Sequence, residues 1–494
     1  MKKILFLIVV LCLFAISTFA QVYSGLDPTF GNNGAYTIDS CVFNNIVVQS
    51  DKRITILGGK YYIMRLFEKG TIDQKFTNNS MNIIQPFSAQ SFNTICLQPD
   101  GRILLGGGTA KDLLLIRLKT DGNLDSSFGN NGIKITGYPG YEYINSIALQ
   151  PDGKIVSVGI RQTPEDAIQV VRYLPDGSLD SSFGNNGEVY YDWTWGVFHY
   201  PTANDISVLP NGKIVVGATT QIDANGKYCF TALRLLPNGS LDTSFNHSGM
   251  AYTDIGGWLA YCKAMQLQPD GKILLAGHSD SITVVRFDTT GKLDNSFGSG
   301  GMARLSPGSG NALVLQSGGK ILIGGSSADT AFLICRLLPN GSPDNSFGNQ
   351  GKISTKVLDK KNTINGLAVQ QDGKILACGE GEKYPWPNNY STAVLLRYNE
   401  NATGVEEMQI NQNVFRIHPN PATDRLTIAY PNDQGVIVDV CVYDVTGRKL
   451  VSKESQYFKS SSVTITVSTF APGVYFISIT NHKGLSEQFK FVKQ

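Results

Sequence analysis

The chain has 494 residues, 52 of them glycine, with only 17% charged residues and a formal net charge of +2. Glycine exceeds the usual share of about 7% and charge falls below the usual 25% or so, which excludes a coiled coil, a helical solenoid and a charged disordered chain. The near-neutral balance also lacks the clustered basic surplus of a nucleic-acid binder.

The chain opens with Lys2 and Lys3, an apolar run from Ile4 to Phe14, and small residues at Thr18-Phe19-Ala20. This pattern predicts a secretory signal peptide over residues 1–20. No later stretch reaches the roughly 18 apolar residues of a membrane span, so an exported, soluble chain is expected. Cys12 lies in the leader, and the seven cysteines beyond it are scattered along the chain. An odd number cannot all pair within one chain. Most sit in predicted strands, such as Cys96 in Thr94-Ile95-Cys96-Leu97, and read as small apolar fillers. One or two disulfides stay open in an oxidising compartment. No metal site and no cofactor are expected, because no Cys/His pairs stand at ligand spacing.

From there to about residue 400 one pattern recurs. Leu-Asp-x-x-Phe is followed by an apolar stretch, then Gln-Pro-Asp-Gly-Lys-Ile, then Arg with an apolar neighbour. Its Asp anchors are Asp27, Asp73, Asp125, Asp180, Asp242, Asp294 and Asp344. The Phe anchors run from Phe30 to Phe347 and the Arg anchors from Arg65 to Arg397, again seven of each. Each copy reads as four strands, placed in the third at Gly132 to Gly137, Ile144 to Gln150, Lys154 to Ile160 and Ile168 to Leu174. Pro-Asp-Gly marks a tight hairpin. Four strands in about fifty residues predict propeller blades. The fold class is therefore all-β, a seven-bladed β-propeller over residues 22–400, followed by a small C-terminal β-sandwich. A parallel β-helix, with shorter repeats, fits less well.

A repeated Asp with a repeated Arg predicts one ion pair per blade, such as Arg172 with Asp180, and the Phe is expected to fill the gap between blades. These blocks resemble the delta-sixty repeat of bacterial surface and secreted proteins, a propeller family to which no activity is tied. The first two copies depart from it. Ile72 replaces Leu, Thr77 replaces the Gly after Phe76, and Ser50-Asp51-Lys52-Arg53 lacks the hairpin Gly.

Residues 401–413 are polar, lack the repeat and read as a linker. Residues 414–494 then show short alternating strands with turn signals, as in a small sandwich. Pro419-Asn420-Pro421, Tyr443-Asp444-Val445-Thr446-Gly447-Arg448, Gly473-Val474-Tyr475-Phe476 and Lys490-Phe491-Val492-Lys493 occur in that order. Together they resemble the C-terminal sorting domain of the type IX secretion system of Bacteroidota. The resemblance implies that the secretion machinery handles residues 414–494 and that the chain ends at the outer cell surface or outside the cell.

No catalytic motif is found: no His-Glu-x-x-His, no Gly-x-Ser-x-Gly and no P-loop. The five histidines lie at no ligand spacing. The informative signal is where the repeats differ, in loops expected on the face opposite the constant hairpins. There lie Tyr138, Tyr141, Trp193, Trp195, Tyr200, Trp258, Tyr261, Glu380, Trp386 and Asn388, which include all four tryptophans. Exposed rings on a rigid scaffold suit recognition of a glycan or protein. The same rings packing on one another to fill long loops is the competing reading. The expected function is a secreted or surface-attached binding or adhesion propeller. The alternatives are an exported glycan hydrolase or lyase with its site on that face, or a structural surface component.

Overall fold

The computed structural model describes residues 25–494 except 60–61, 85–90, 110, 138–140, 163–165, 192–200, 222–226, 258, 359, 383–390, 403–414, 431–435, 445–447, 459–460 and 482–485. The expected signal peptide lies outside the described residues. The chain divides into two compact units, one of which is Val22–Glu406, while Glu407–Gln494 belong to the other.

The described residues of the first unit form seven antiparallel sheets, six of four strands and one of three. The third sheet shows the plan. From the inside outward it comprises Glu142–Leu149, Ile155–Gln162, Asp166–Tyr173 and Glu188–Tyr191. The innermost strands touch in sequence around the molecule, and that of the last sheet, Asn362–Val369, touches that of the first, Phe43–Val48. The ring is thus closed. Ala35–Asp39 pairs with Ser391–Tyr398 and supplies the outer strand of the seventh sheet. The two ends of the unit are locked together by this strand.

The strand phase differs from the sequence expectation by one. Ile133–Thr136 pairs with Leu113–Leu118 and is the outer strand of the second sheet, not the first strand of the third. The reason is geometric. The Leu-Asp-x-x-Phe-Gly-Asn-Asn-Gly block is a turn inside a sheet, with Gly129, Asn131 and Gly132 at positive φ. The chain therefore folds back onto the strand it has just left.

The first blade lacks this turn. Thr77 stands where five of the other six copies have glycine and Ser80 where all six do, and residues Gln74–Ile84 form an α-helix beside the third strand instead of an outer strand. Asp73 caps this helix, accepting a bond from the Phe76 N–H at 3.3 Å. The Thr77 hydroxyl accepts the Arg65 N–H at 3.2 Å. In the second blade the corresponding Arg117 N–H goes to the Gly132 carbonyl.

The apolar core lies between blades. Leu104, Leu115 and Phe128 of the second blade pack with Ile144, Val171 and Tyr173 of the third. All seven anchor phenylalanines are fully buried. Six are covered by a glycine in the repeated turn of the next blade: a Cβ on Gly177, at φ +88°, would lie 2.8 Å from the Phe128 ring, so only glycine fits there.

Every anchor Arg pairs with its anchor Asp, at 2.6–2.9 Å. The seventh pair joins Arg397 to Asp27 across the ring closure. Arg172 is typical. Its Nε donates to Asp180 at 2.8 Å, its Nη1 to the Pro237 carbonyl of the next blade, and its guanidinium lies 4.5 Å from the Phe183 ring centre. Burial pushes the Asp180 carboxyl up, but hydrogen bonds from Ser182 and the charges of Lys154 and Arg172 outweigh it and hold the group well below the usual range.

The cysteines beyond the leader stand as free thiols, four of them buried. Burial raises the Cys96 thiol to about 11.

In the second unit, Arg416–His418, Arg425–Tyr430 and Ser461–Thr466 form one sheet. Val436–Asp444, Lys449–Phe458, Gly473–Asn481 and Ser486–Lys493 form another. Leu426, Ile428, Val440, Ile477 and Phe491 lie in the shared core.

Arg172→Ala removes a buried cation and leaves Asp180 with less compensation. The expected loss is about 3–5 kcal/mol, the size found for breaking one buried pair. Urea or thermal unfolding of the variant measures it, and an unchanged midpoint would remove the clamp from the account.

Candidate functional site

Strand order sorts the loops onto two faces. In the third blade, the hairpin at 150–154 and the turn at 174–187 lie at one end of the sheet. The strand ends at Gln162, Asp166 and Tyr191 lie at the other. The first end carries the constant motifs and the ion pairs. The hairpin cation adds to them: Lys154 lies 3.2 Å from Asp180 and Lys213 2.8 Å from Asp242. An open cavity of about 490 Å³ sits on this constant end between the second and third blades, lined by Arg102, Arg117, Ser127, Asp152 and Asp176 among others. It is built from the residues that hold the blades together, so its lining is explained by the fold.

Of the residues singled out in the sequence, Tyr141, Tyr261 and Glu380 are described and lie at the variable end. Tyr138, Trp193, Trp195, Tyr200, Trp258, Trp386 and Asn388 lie outside the described residues. Tyr141 precedes the inner strand of the third blade and is 59% exposed. Tyr261 begins the inner strand of the fifth and is 36% exposed, its ring 5.6 Å from that of His278. Leu259 beside it is 53% exposed. Glu380 lies near the end of Ile375–Glu382, the second strand of the seventh blade, and pairs with Lys361 at 2.9 Å. These three candidates belong to alternate blades, and no contact joins one to another among the described residues.

One set of residues was missed in the sequence. The innermost strand of every blade carries a one-residue bulge. In six copies the extra residue is asparagine. Asn93 donates to the Ile144 carbonyl at 3.0 Å, Asn145 to Ala203 at 2.8 Å and Asn204 to Cys262 at 2.6 Å. Asn311 reaches Ile364, and Asn365 reaches Phe43 across the closure, both at 3.0 Å. Five of the six carboxamides thus tie one inner strand to the next. The signal was available as a polar residue at a fixed distance before each hairpin.

Comparison with known proteins fits this architecture. Residues 416–494 match the family of secretion system C-terminal sorting domains. Six segments, 98–128, 150–183, 209–245, 268–297, 316–347 and 370–403, match a β-propeller domain of unknown function, DUF5122. The chain carries a DUF5122 propeller and a type IX sorting domain. That domain marks it for export to the cell surface or the extracellular space. No described helix is long and apolar enough to cross a membrane.

No curated protein matches. Among solved structures, a protein of unknown function from Bacteroides caccae is 15% identical over 62% of this chain and 92% of its own, with a TM-score of 0.35. The PQQ-bound aldose sugar dehydrogenase of Streptomyces coelicolor is 13% identical over 62% and 94%, with a TM-score of 0.39. PorZ, a surface component of the type IX secretion system of Porphyromonas gingivalis, is 12% identical over 92% and 81%, with a TM-score of 0.25. Likeness this low assigns no activity.

Within the sorting domain the motif residues hold its end in place. The Asn420 side chain accepts the Val492 N–H at 3.0 Å, and the Tyr475 hydroxyl donates to the Ala471 carbonyl at 2.7 Å. Arg448 pairs with Asp444 at 3.0 Å.

The propeller also holds one buried acidic cluster near its variable end. In the third blade, Arg161 lies 3.7 Å from Glu142 and 3.5 Å from Glu188, and Gln169 donates to Glu188 at 2.7 Å. The Glu142 side chain has no exposed surface, so this pair of carboxylates does not open onto a cleft. Burial raises the Glu142 carboxyl to about 7, with Arg161 opposing and Glu188 adding to the rise. The folded state therefore keeps a proton that the unfolded chain releases near pH 4.3 or so. Stability falls as pH rises from there to about 7 and then levels off. Glu142→Gln removes this titration. Its melting temperature relative to the parent should rise between pH 5 and pH 8, and a pH-independent difference would refute the assignment.

Proposed function

We propose that the exported propeller is a binding module that takes a glycan on its variable end, at the cell surface or outside the cell. The carrying observation is the division of labour between its two ends. One end is committed to the clamps that hold the ring. The other presents Tyr141, Leu259 and Tyr261 to solvent on inner-strand starts and the loops before them. Flat rings on a rigid frame stack on sugar faces at little entropic cost, since the scaffold is already ordered. The buried Arg161 cluster gives no exposed acid–base pair, so binding is favoured over hydrolysis as the reading of this face.

The domain limits follow the same reading: a propeller over 22–400, a linker over 401–413 and a sorting domain over 414–494. The secretion machinery takes the last of these as its partner.

The test is a glycan array probed with the exported protein and with Trp193→Ala, Trp195→Ala, Tyr261→Ala and Trp386→Ala. Loss of signal with an unchanged melting temperature is expected. Variants that unfold would show that the rings pack the loops. Variants that bind as the parent does would move the site elsewhere.

A further inference from the structure

The fifth blade breaks the asparagine ring. Its bulge residue is Lys263, between Cys262 and Ala264, where six other blades have asparagine. In the ring, five carboxamides donate to the carbonyl just before the next blade's bulge. By that pattern position 263 would reach the Gly310 carbonyl. That carbonyl is instead served by His278, which hydrogen-bonds the Gly310 backbone. Position 263 is thereby released from its structural task.

The lysine released is exposed. Its ammonium lies 5.3 Å from the centre of the Tyr261 ring, and no carboxylate pairs with it among the described residues. His278 Nδ1 is buried without a hydrogen-bond partner among the described residues. Burial and the Lys263 charge both push the His278 imidazolium below its ordinary range, so the imidazole is neutral and adds no cation to the patch. A lone cation and an adjoining exposed ring therefore meet at the variable end of the fifth blade, with the His278 ring packed beside Tyr261.

We propose that Lys263 and Tyr261 form a subsite for one charged unit of an acidic saccharide. The ammonium takes the carboxylate or sulfate, and the Tyr261 ring takes the sugar face. One ammonium beside one ring matches a sugar with one charge. A nucleic acid would call for a tract of cations, which this face does not supply among its described residues. The inference rests on the glycan-binding reading of this face and adds the charge of the ligand.

The experiment titrates the full chain with polygalacturonate, dextran sulfate and neutral dextran by calorimetry. The key variant is Lys263→Asn, which installs the residue of the other six blades and should keep the fold. Lys263→Gln serves as a second variant, and melting curves check both. Binding to one acidic polymer is expected to weaken about tenfold or more in both variants, as for loss of a charge-assisted hydrogen bond. It should also fall with added salt. The arm that shows the lysine dependence tells carboxylate from sulfate. Equal binding by parent and variants, or preference for neutral dextran, overturns the proposal. If neutral glycans bind through Tyr261 while Lys263→Asn changes nothing, the subsite fails and the binding face stands. If no saccharide binds at all, both fail.

Discussion

Everything in the propeller depends on the arginine that each blade extends to the next. A buried guanidinium costs several kcal/mol unless its charge and its donors are satisfied. Here a carboxylate, a carbonyl of the neighbouring blade and the face of a phenylalanine satisfy it together, as Arg117 shows with Asp125, Pro175 and Phe128. The carboxylate is shared with the hairpin cation, Arg102 in this blade, at 3.2 Å. One side chain therefore fixes the turn of its own blade, the position of the next and the plug between them. The same chemistry works at every junction because each junction presents the same carbonyl at the same place.

Closure follows from using the clamp once more at the ends of the chain. Arg397 reaches Asp27 and the Glu68 carbonyl, and its guanidinium lies 4.4 Å from the Phe30 ring centre. The last junction thus repeats the other six, although its partners are hundreds of residues apart. The entropy of joining the ends is offset by a full set of the contacts found elsewhere, together with the strand Ala35–Asp39.

Much of this was legible in the sequence because it repeats. A charge that recurs at a fixed offset has a fixed partner, and Arg172 with Asp180 could be named before any coordinate was known. The strand phase was not legible. The Leu-Asp-x-x-Phe block looks like a boundary because it is rich in turn residues, yet Gly129 and Asn131 turn the chain within a sheet. The helix at Gln74–Ile84 was foreshadowed by the loss of two glycines, but their absence alone does not say what replaces the turn. The asparagine ring escaped notice because each asparagine is one polar residue in an apolar strand. Its task shows only when the neighbouring blade brings up a carbonyl. Of the site residues, those at strand starts, such as Tyr261, could be placed from the repeat. What the rings of the long loops touch has no period, and so no pattern to read.

The inner ring also explains why variation is tolerated on one end. Two independent systems join the blades: the arginine clamps toward the constant end and the carboxamides on the inner strands. Losing one carboxamide leaves the clamp at that junction intact. The junction between the fifth and sixth blades keeps Arg286 on the Pro339 carbonyl at 2.6 Å even though Lys263 makes no carboxamide bond. An inner-strand position near the variable end is thus the one place where a structural residue can be exchanged for a charged one at small cost to the ring. The constant end has less freedom, because its anchor Asp and Arg residues already answer one another.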